Sequence, residues 1–250
     1  MKLFWKSAIP LFVAMVGATA HGAEVQVAVA ANFTGPMEKI VPAFERTTGH
    51  KAVVAYGTVG KFYAQIKNGA PFDVLISSDE ETPRRLEQDD LAIAASRFTY
   101  AIGKLVLWSA QPGLIDEQGG VLNHGAFKYL AVANPKLAVY GAAAVEVMNK
   151  LGVYSALAPK LVLGENITQT YQFVVTGNAE LGFVALSQIY KDGHYAAGSY
   201  WMVPPDLYPQ LKQDAVLLKR GTENPAARAL LDYLQNETVK GIIRSYGYTL

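Results

Sequence analysis

Two junctions where an apolar strand runs into a helix through small residues constrain this chain most. One is Val29-Ala30-Ala31-Asn32-Phe33-Thr34-Gly35-Pro36, and the other is Gly57-Thr58-Val59-Gly60. At the first, Asn32 or Thr34 is placed to cap the helix, and Pro36 suits a first turn whose N–H groups lack intrahelical partners anyway. At the second, a strand over residues 52–56 leads into a helical run that starts near Lys61. Small residues leave the first backbone N–H groups of each helix accessible, and those groups, together with the helix dipole, attract anions. Two such turns predict one shared anionic ligand.

The rest of the chain repeats the strand-then-helix scheme. Strands are expected at 25–30, 52–56 and 74–77, with helices at 36–47, 61–68 and 79–87 between and after them. Two further strands, 97–101 and 104–109, precede a second run of strands (130–132, 160–163, 181–185) and helices (142–151, 168–176). A last strand at 215–218 is followed by helices over 224–236 and 237–246. Short, nearly all-apolar strands with crossover helices predict an α/β fold of two doubly wound sheets. Breaks near 100–104 and 198–208 predict one lobe from residues 24–100 plus 202–250, with a second lobe, 101–201, inserted. Two chain crossings make a hinge.

The N-terminus reads as a cleaved export signal over residues 1–20. Lys2 and Lys6 flank its start, residues 8–16 are apolar, and Ala18-Thr19-Ala20 fits the small-x-small cleavage rule. That predicts a periplasmic protein, and no later segment is apolar for long enough to span a membrane. The formal charge of +1 falls to −1 when Lys2 and Lys6 leave with the signal. A neutral chain without a basic patch argues against nucleic acid as a partner. The absence of cysteine excludes disulfides and thiolate chemistry.

Val-Ala-Val-Ala-Ala-Asn-Phe-Thr (27–34), Gly-Ala-Pro-Phe-Asp-Val-Leu-Ile-Ser-Ser-Asp (69–79), Lys-Leu-Val-Leu-Trp-Ser (104–109), Ala-Val-Ala-Asn-Pro (131–135) and Glu-Leu-Gly-Phe-Val-Ala (180–185), with the closing Tyr-Gly-Tyr, carry a family resemblance. In order and spacing the chain resembles the periplasmic molybdate-binding proteins of molybdate ABC transporters. The resemblance implies a type II periplasmic binding-protein fold, with a tetrahedral oxyanion, molybdate or tungstate, held between two lobes. It further implies delivery to a membrane permease, one ligand per monomer, and no cofactor.

Carried onto this sequence, the resemblance places the first ligand turn at Ala31 and Asn32, whose amide can donate as a serine hydroxyl does in many relatives. The second falls on Thr58 and Val59, where relatives usually offer adjacent serines. Val59 can give only its N–H, so Thr58 must supply any hydroxyl. In the second lobe the matching positions are Tyr140, through its phenol, and Ile167, through its N–H. Ser78 is a further candidate, although it or Ser77 is also placed to cap the helix that opens with Asp79. His21, His50, His124 and His194 show no metal-ligand spacing. Asn32, Asn166 and Asn236 each begin an Asn-x-Thr triplet, which helix capping explains.

None of these turns carries Lys or Arg. Fixed neutral donors favour a fully deprotonated ion of matching radius: sulfate is smaller, and hydrogen phosphate brings a proton that needs an acceptor. The alternative cargo is sulfate, another oxyanion or an organic anion. An enzyme would need a nucleophile with its base, and the sequence shows no such set.

Overall fold

The computed structural model describes residues 22–125 and 127–250, so the expected export signal lies outside the described residues. The chain begins with β1 (Glu24–Ala30), a short 3₁₀ turn (Ala31–Phe33), α1 (Thr34–Thr48), β2 (Lys51–Gly57), α2 (Val59–Lys67), β3 (Val74–Ile76), α3 (Glu81–Gln88) and β4 (Phe98–Gly103). It crosses at Lys104 into β5 (Leu105–Ser109), α4 (Val121–His124), β6 (Leu130–Ala133), α5 (Val139–Lys150), α6 (Tyr154–Leu157), β7 (Leu161–Gly164), α7 (Ile167–Val175), β8 (Leu181–Ala185) and α8 (Leu186–Ile189). A hairpin of β9 (Tyr190–Lys191) and β10 (His194–Tyr195) leads to β11 (Ser199–Met202). The chain then returns as β12 (Leu211–Leu217), α9 (Pro225–Leu234) and α10 (Glu237–Ser245).

Two five-stranded sheets result, ordered β2-β1-β3-β12-β4 and β11-β5-β8-β6-β7. Each has three parallel strands in the same local order, then an antiparallel strand that has just arrived from the other sheet. The sheets are therefore mixed rather than purely parallel. The crossing strands β5 and β12 enter against the direction of their new neighbours, a reversal that strand composition does not record. A third segment reinforces the crossing: Thr249 pairs with Ile102, whose N–H donates to the Thr249 carbonyl at 2.7 Å.

Period-two alternation explains why both faces of each sheet are covered. In the first, Val25, Val27, Val29, Val74, Ile76, Ala215 and Leu217 face α1 and the C-terminal helices, while Ala28, Leu75 and Val216 pack with Phe62, Ile66 and Leu86. In the second, Leu105, Leu107, Leu130, Val132, Leu181 and Phe183 form one core, and Val106, Trp108, Ala131 and Val184 form the other. No helix among the described residues is long and apolar enough to cross a membrane.

Candidate functional site: a donor-lined cavity between the sheets

The N-terminal ends of α2, α5 and α7 meet the turn after β1. A cavity of about 230 Å³ lies among them, lined by Ala31, Asn32, Gly57, Thr58, Val59, Ser78, Ala138, Val139, Tyr140, Asn166 and Ile167. All seven sequence candidates, from both lobes, thus surround one space. A larger open cleft of about 1210 Å³ lies to one side, bordered by α1, α7 and the β9–β10 hairpin, and shares Ala31 and Asn32 with it.

Each helix start is built by its own sequence. Thr58 caps α2 by accepting from the Lys61 N–H at 3.4 Å, which uses a lone pair and leaves its O–H available. Asn166 caps α7, accepting from the Gln169 N–H at 2.9 Å. Val59, Val139 and Ile167 are therefore first helical residues, whose N–H groups have no intrahelical acceptor. Among the described residues the N–H groups of Asn32, Val59, Tyr140 and Ile167 make no hydrogen bond, and neither does the Ser78 hydroxyl. Gly141 lets α5 sit close to β6, since a Cβ there would approach the Ala133 carbonyl oxygen to 2.0 Å.

Three expectations change. The Asn32 side chain neither caps α1 nor offers its amide to the cavity, because its Nδ2 donates to Gln213 Oε1 at 3.0 Å and to Tyr248 Oη at 2.9 Å. Thr34 does not cap either; its hydroxyl donates to the Ala31 carbonyl at 2.8 Å. At α3 the Asp79 carboxylate, rather than Ser77 or Ser78, receives the Thr82 N–H at 2.9 Å, which frees Ser78 to line the cavity.

Tyr140 is buried, and its hydroxyl accepts from Gln213 Nε2 at 3.1 Å. Burial pushes its pKa well above the ordinary phenol range, and the charge of a neighbouring Tyr248 phenolate would push it further. Tyr140 therefore stays a neutral O–H donor, and among the described residues no other ionisable side chain lines the cavity. Gly103 makes room at the crossing, since a Cβ there would come within 2.1 Å of the Tyr140 hydroxyl and 2.5 Å of Gln213 Nε2.

Sequence reasoning missed the polar cluster behind the cavity: Gln213, Tyr100, Tyr248 and Ser187. Its one local signal was the polar run Lys212-Gln213-Asp214 ahead of the apolar end of β12, of which Gln213 and Asp214 are buried. Cross-lobe bonds hold this arrangement shut. The Gly60 N–H donates to the Leu137 carbonyl at 3.3 Å, Ser187 Oγ to the Asn32 carbonyl at 2.8 Å, and Lys61 pairs with Glu165 at the rim.

Two α/β lobes linked by paired crossings, with helix N-termini converging on the space between, define a type II solute-binding protein. The chain belongs to the bacterial extracellular solute-binding protein family, whose model matches residues 25–249, in the branch that includes the molybdate-binding protein ModA. It is 56% identical to ModA of Azotobacter vinelandii over 242 residues, covering 97% of this chain and 96% of that protein. It is 53% identical to ModA of Rhodobacter capsulatus, covering 92% and 89%. The solved periplasmic molybdate-binding protein of Azotobacter vinelandii superposes with a TM-score of 0.88 at 39% identity, over 90% of this chain and 99% of that one.

Proposed function

We propose that this protein captures molybdate, and tungstate equally well, in the cavity between its lobes and delivers it to the permease of an ABC transporter. The observation that carries this reading is the character of the lining: unpartnered N–H and O–H donors from both lobes, with no Lys or Arg. A tetrahedral dianion only accepts hydrogen bonds, so every such donor can be satisfied at once, and helix N-termini supply the partial positive charge. The cavity is tightly enclosed by these turns and has no room for a larger organic ligand, which favours a compact inorganic ion.

Ala31, Asn32, Thr58, Val59 and Ser78 hold the ion from the first lobe, and Tyr140 and Ile167 from the second. Val59, where relatives usually carry serine, contributes its N–H alone. The two lobes, each built on one of the sheets, turn as two bodies about the crossings after β4 and after β11, and the ion favours the closed form by the difference in its affinity for the two. The protein works as a periplasmic monomer, and binding rather than catalysis is its task.

Calorimetric titration with molybdate, tungstate, sulfate and phosphate tests this. The expected result is one site per chain, near-equal affinity for the first two, and at least about tenfold weaker binding of the others, as misfitted or unpaired groups dictate. Preference for sulfate or phosphate would overturn it.

A further inference from the structure

Strand β12 shifts register between Gln213 and Asp214. Such a bulge re-aims side chains, and here it buries two consecutive polar ones. Asp214 meets Arg97 at 2.8 Å and Thr99 at 2.7 Å, while Gln213, fully buried, reaches Asn32, Tyr100 and Tyr140.

The hydrogen bonds of this cluster run as a directed chain from the Asn32 carbonyl to Tyr140. The Asn32 carbonyl can only accept, and it receives the Tyr248 and Ser187 hydroxyls, each at 2.8 Å. The Tyr248 oxygen is then free to accept from Asn32 Nδ2 at 2.9 Å, which orients the Asn32 amide. The other Nδ2 proton goes to Gln213, so the Gln213 atom facing Asn32 is its oxygen. Its Nε2 must therefore face Tyr140 and donate to it. With an oxygen lone pair taken by Gln213, and with no acceptor for its own proton among the described residues, Tyr140 presents that proton to the cavity it lines.

We propose that Gln213 is a positioning residue that sets specificity: it locks Tyr140 as a donor toward the ligand, so that the site refuses an anion carrying a proton of its own. The inference rests on the oxyanion reading above and deepens it. A phenol free to reverse would accept from hydrogen phosphate as readily as it donates to molybdate. One held by Gln213 cannot.

The test replaces Gln213 in the full mature protein. In Gln213→Glu a carboxylate accepts from both Asn32 and Tyr140, turning the phenol proton inward. In Gln213→Met the phenol is released without added charge. Affinities for molybdate and hydrogen phosphate are measured by calorimetry and displacement at a pH where both ions carry two negative charges. Coulomb repulsion from Glu then cancels in their ratio and the proton does not. We expect the advantage of molybdate over hydrogen phosphate to shrink about tenfold or more in both variants, with molybdate itself losing more in Gln213→Glu than in Gln213→Met. Should Gln213→Glu fail to fold by circular dichroism, the ratio in Gln213→Met decides alone. A wild-type protein that binds no molybdate overturns the oxyanion reading; a wild type that binds it, with an unchanged ratio in the folded variants, overturns the role of Gln213.

Discussion

The role proposed for Val59 runs through its backbone alone. Its side chain is apolar and buried, yet its N–H, first in α2, has no partner among the described residues. Proline is well suited to that first helical position, and the preceding Thr58, at ψ 146°, already has the extended conformation proline demands. Val59→Pro should therefore remove one donor while leaving the fold intact. We expect molybdate affinity to fall by about 1.5–3 kcal/mol, tenfold or more, the worth of a hydrogen bond to a charged group, with little change in melting temperature. Calorimetry and a thermal melt check both halves. The turns at Ala31-Asn32 and Thr58-Val59 were legible in sequence as junctions of small and capping residues, whereas Tyr140 and Ile167 followed only from the family resemblance. What Asn32 does was not legible, because its partners Gln213 and Tyr248 lie 181 and 216 positions away.

Helix N-termini are the elements on which the proposed binding depends, and most strand and helix positions could be read from periodicity. The strand-to-helix junctions at Thr58 and Asn166 cap as their residue types dictate. The failures share one cause. At Asn32 and at Ser77-Ser78 a local capping rule competes with a tertiary partner, and the tertiary partner or the neighbouring Asp79 wins. The mixed direction of the sheets escaped for the same reason, since β5 and β12 take their orientation from the crossings. At the rim, Lys61 of α2 and Glu165 before α7 pair across the cleft with about half of each side chain exposed. Exposed pairs contribute about 0.2–1 kcal/mol and are screened by salt. Lys61→Ala should therefore weaken molybdate binding by no more than about fivefold, and raised salt should erase the difference. A loss of a hundredfold in a titration would mean that Lys61 touches the ion.

For the whole molecule, the absence of charged groups from the cavity wall carries a pH signature. Tyr100, Tyr140 and Tyr248 are all held above an ordinary phenol's 10.0, burial being the main cause. Molybdate affinity should accordingly stay flat from mildly acidic to mildly alkaline pH. Stability should not: as pH rises past 10.0 the unfolded chain releases phenol protons that the folded chain keeps, so folding free energy falls. Urea unfolding on both sides of that pH shows it as a falling midpoint. Saturation works the other way, since molybdate at about 100 times its dissociation constant adds about 2.7 kcal/mol to stability. The proposed capture requires neutral donors from both lobes to meet one dianion, and a crystal structure with molybdate tests that most directly. The prediction is a single ion in the cavity, within hydrogen-bond distance of the N–H groups of Asn32, Val59, Tyr140 and Ile167 and of the hydroxyls of Thr58, Ser78 and Tyr140. An ion seated in the open cleft beside α1, or paired with a lysine or arginine, would contradict it.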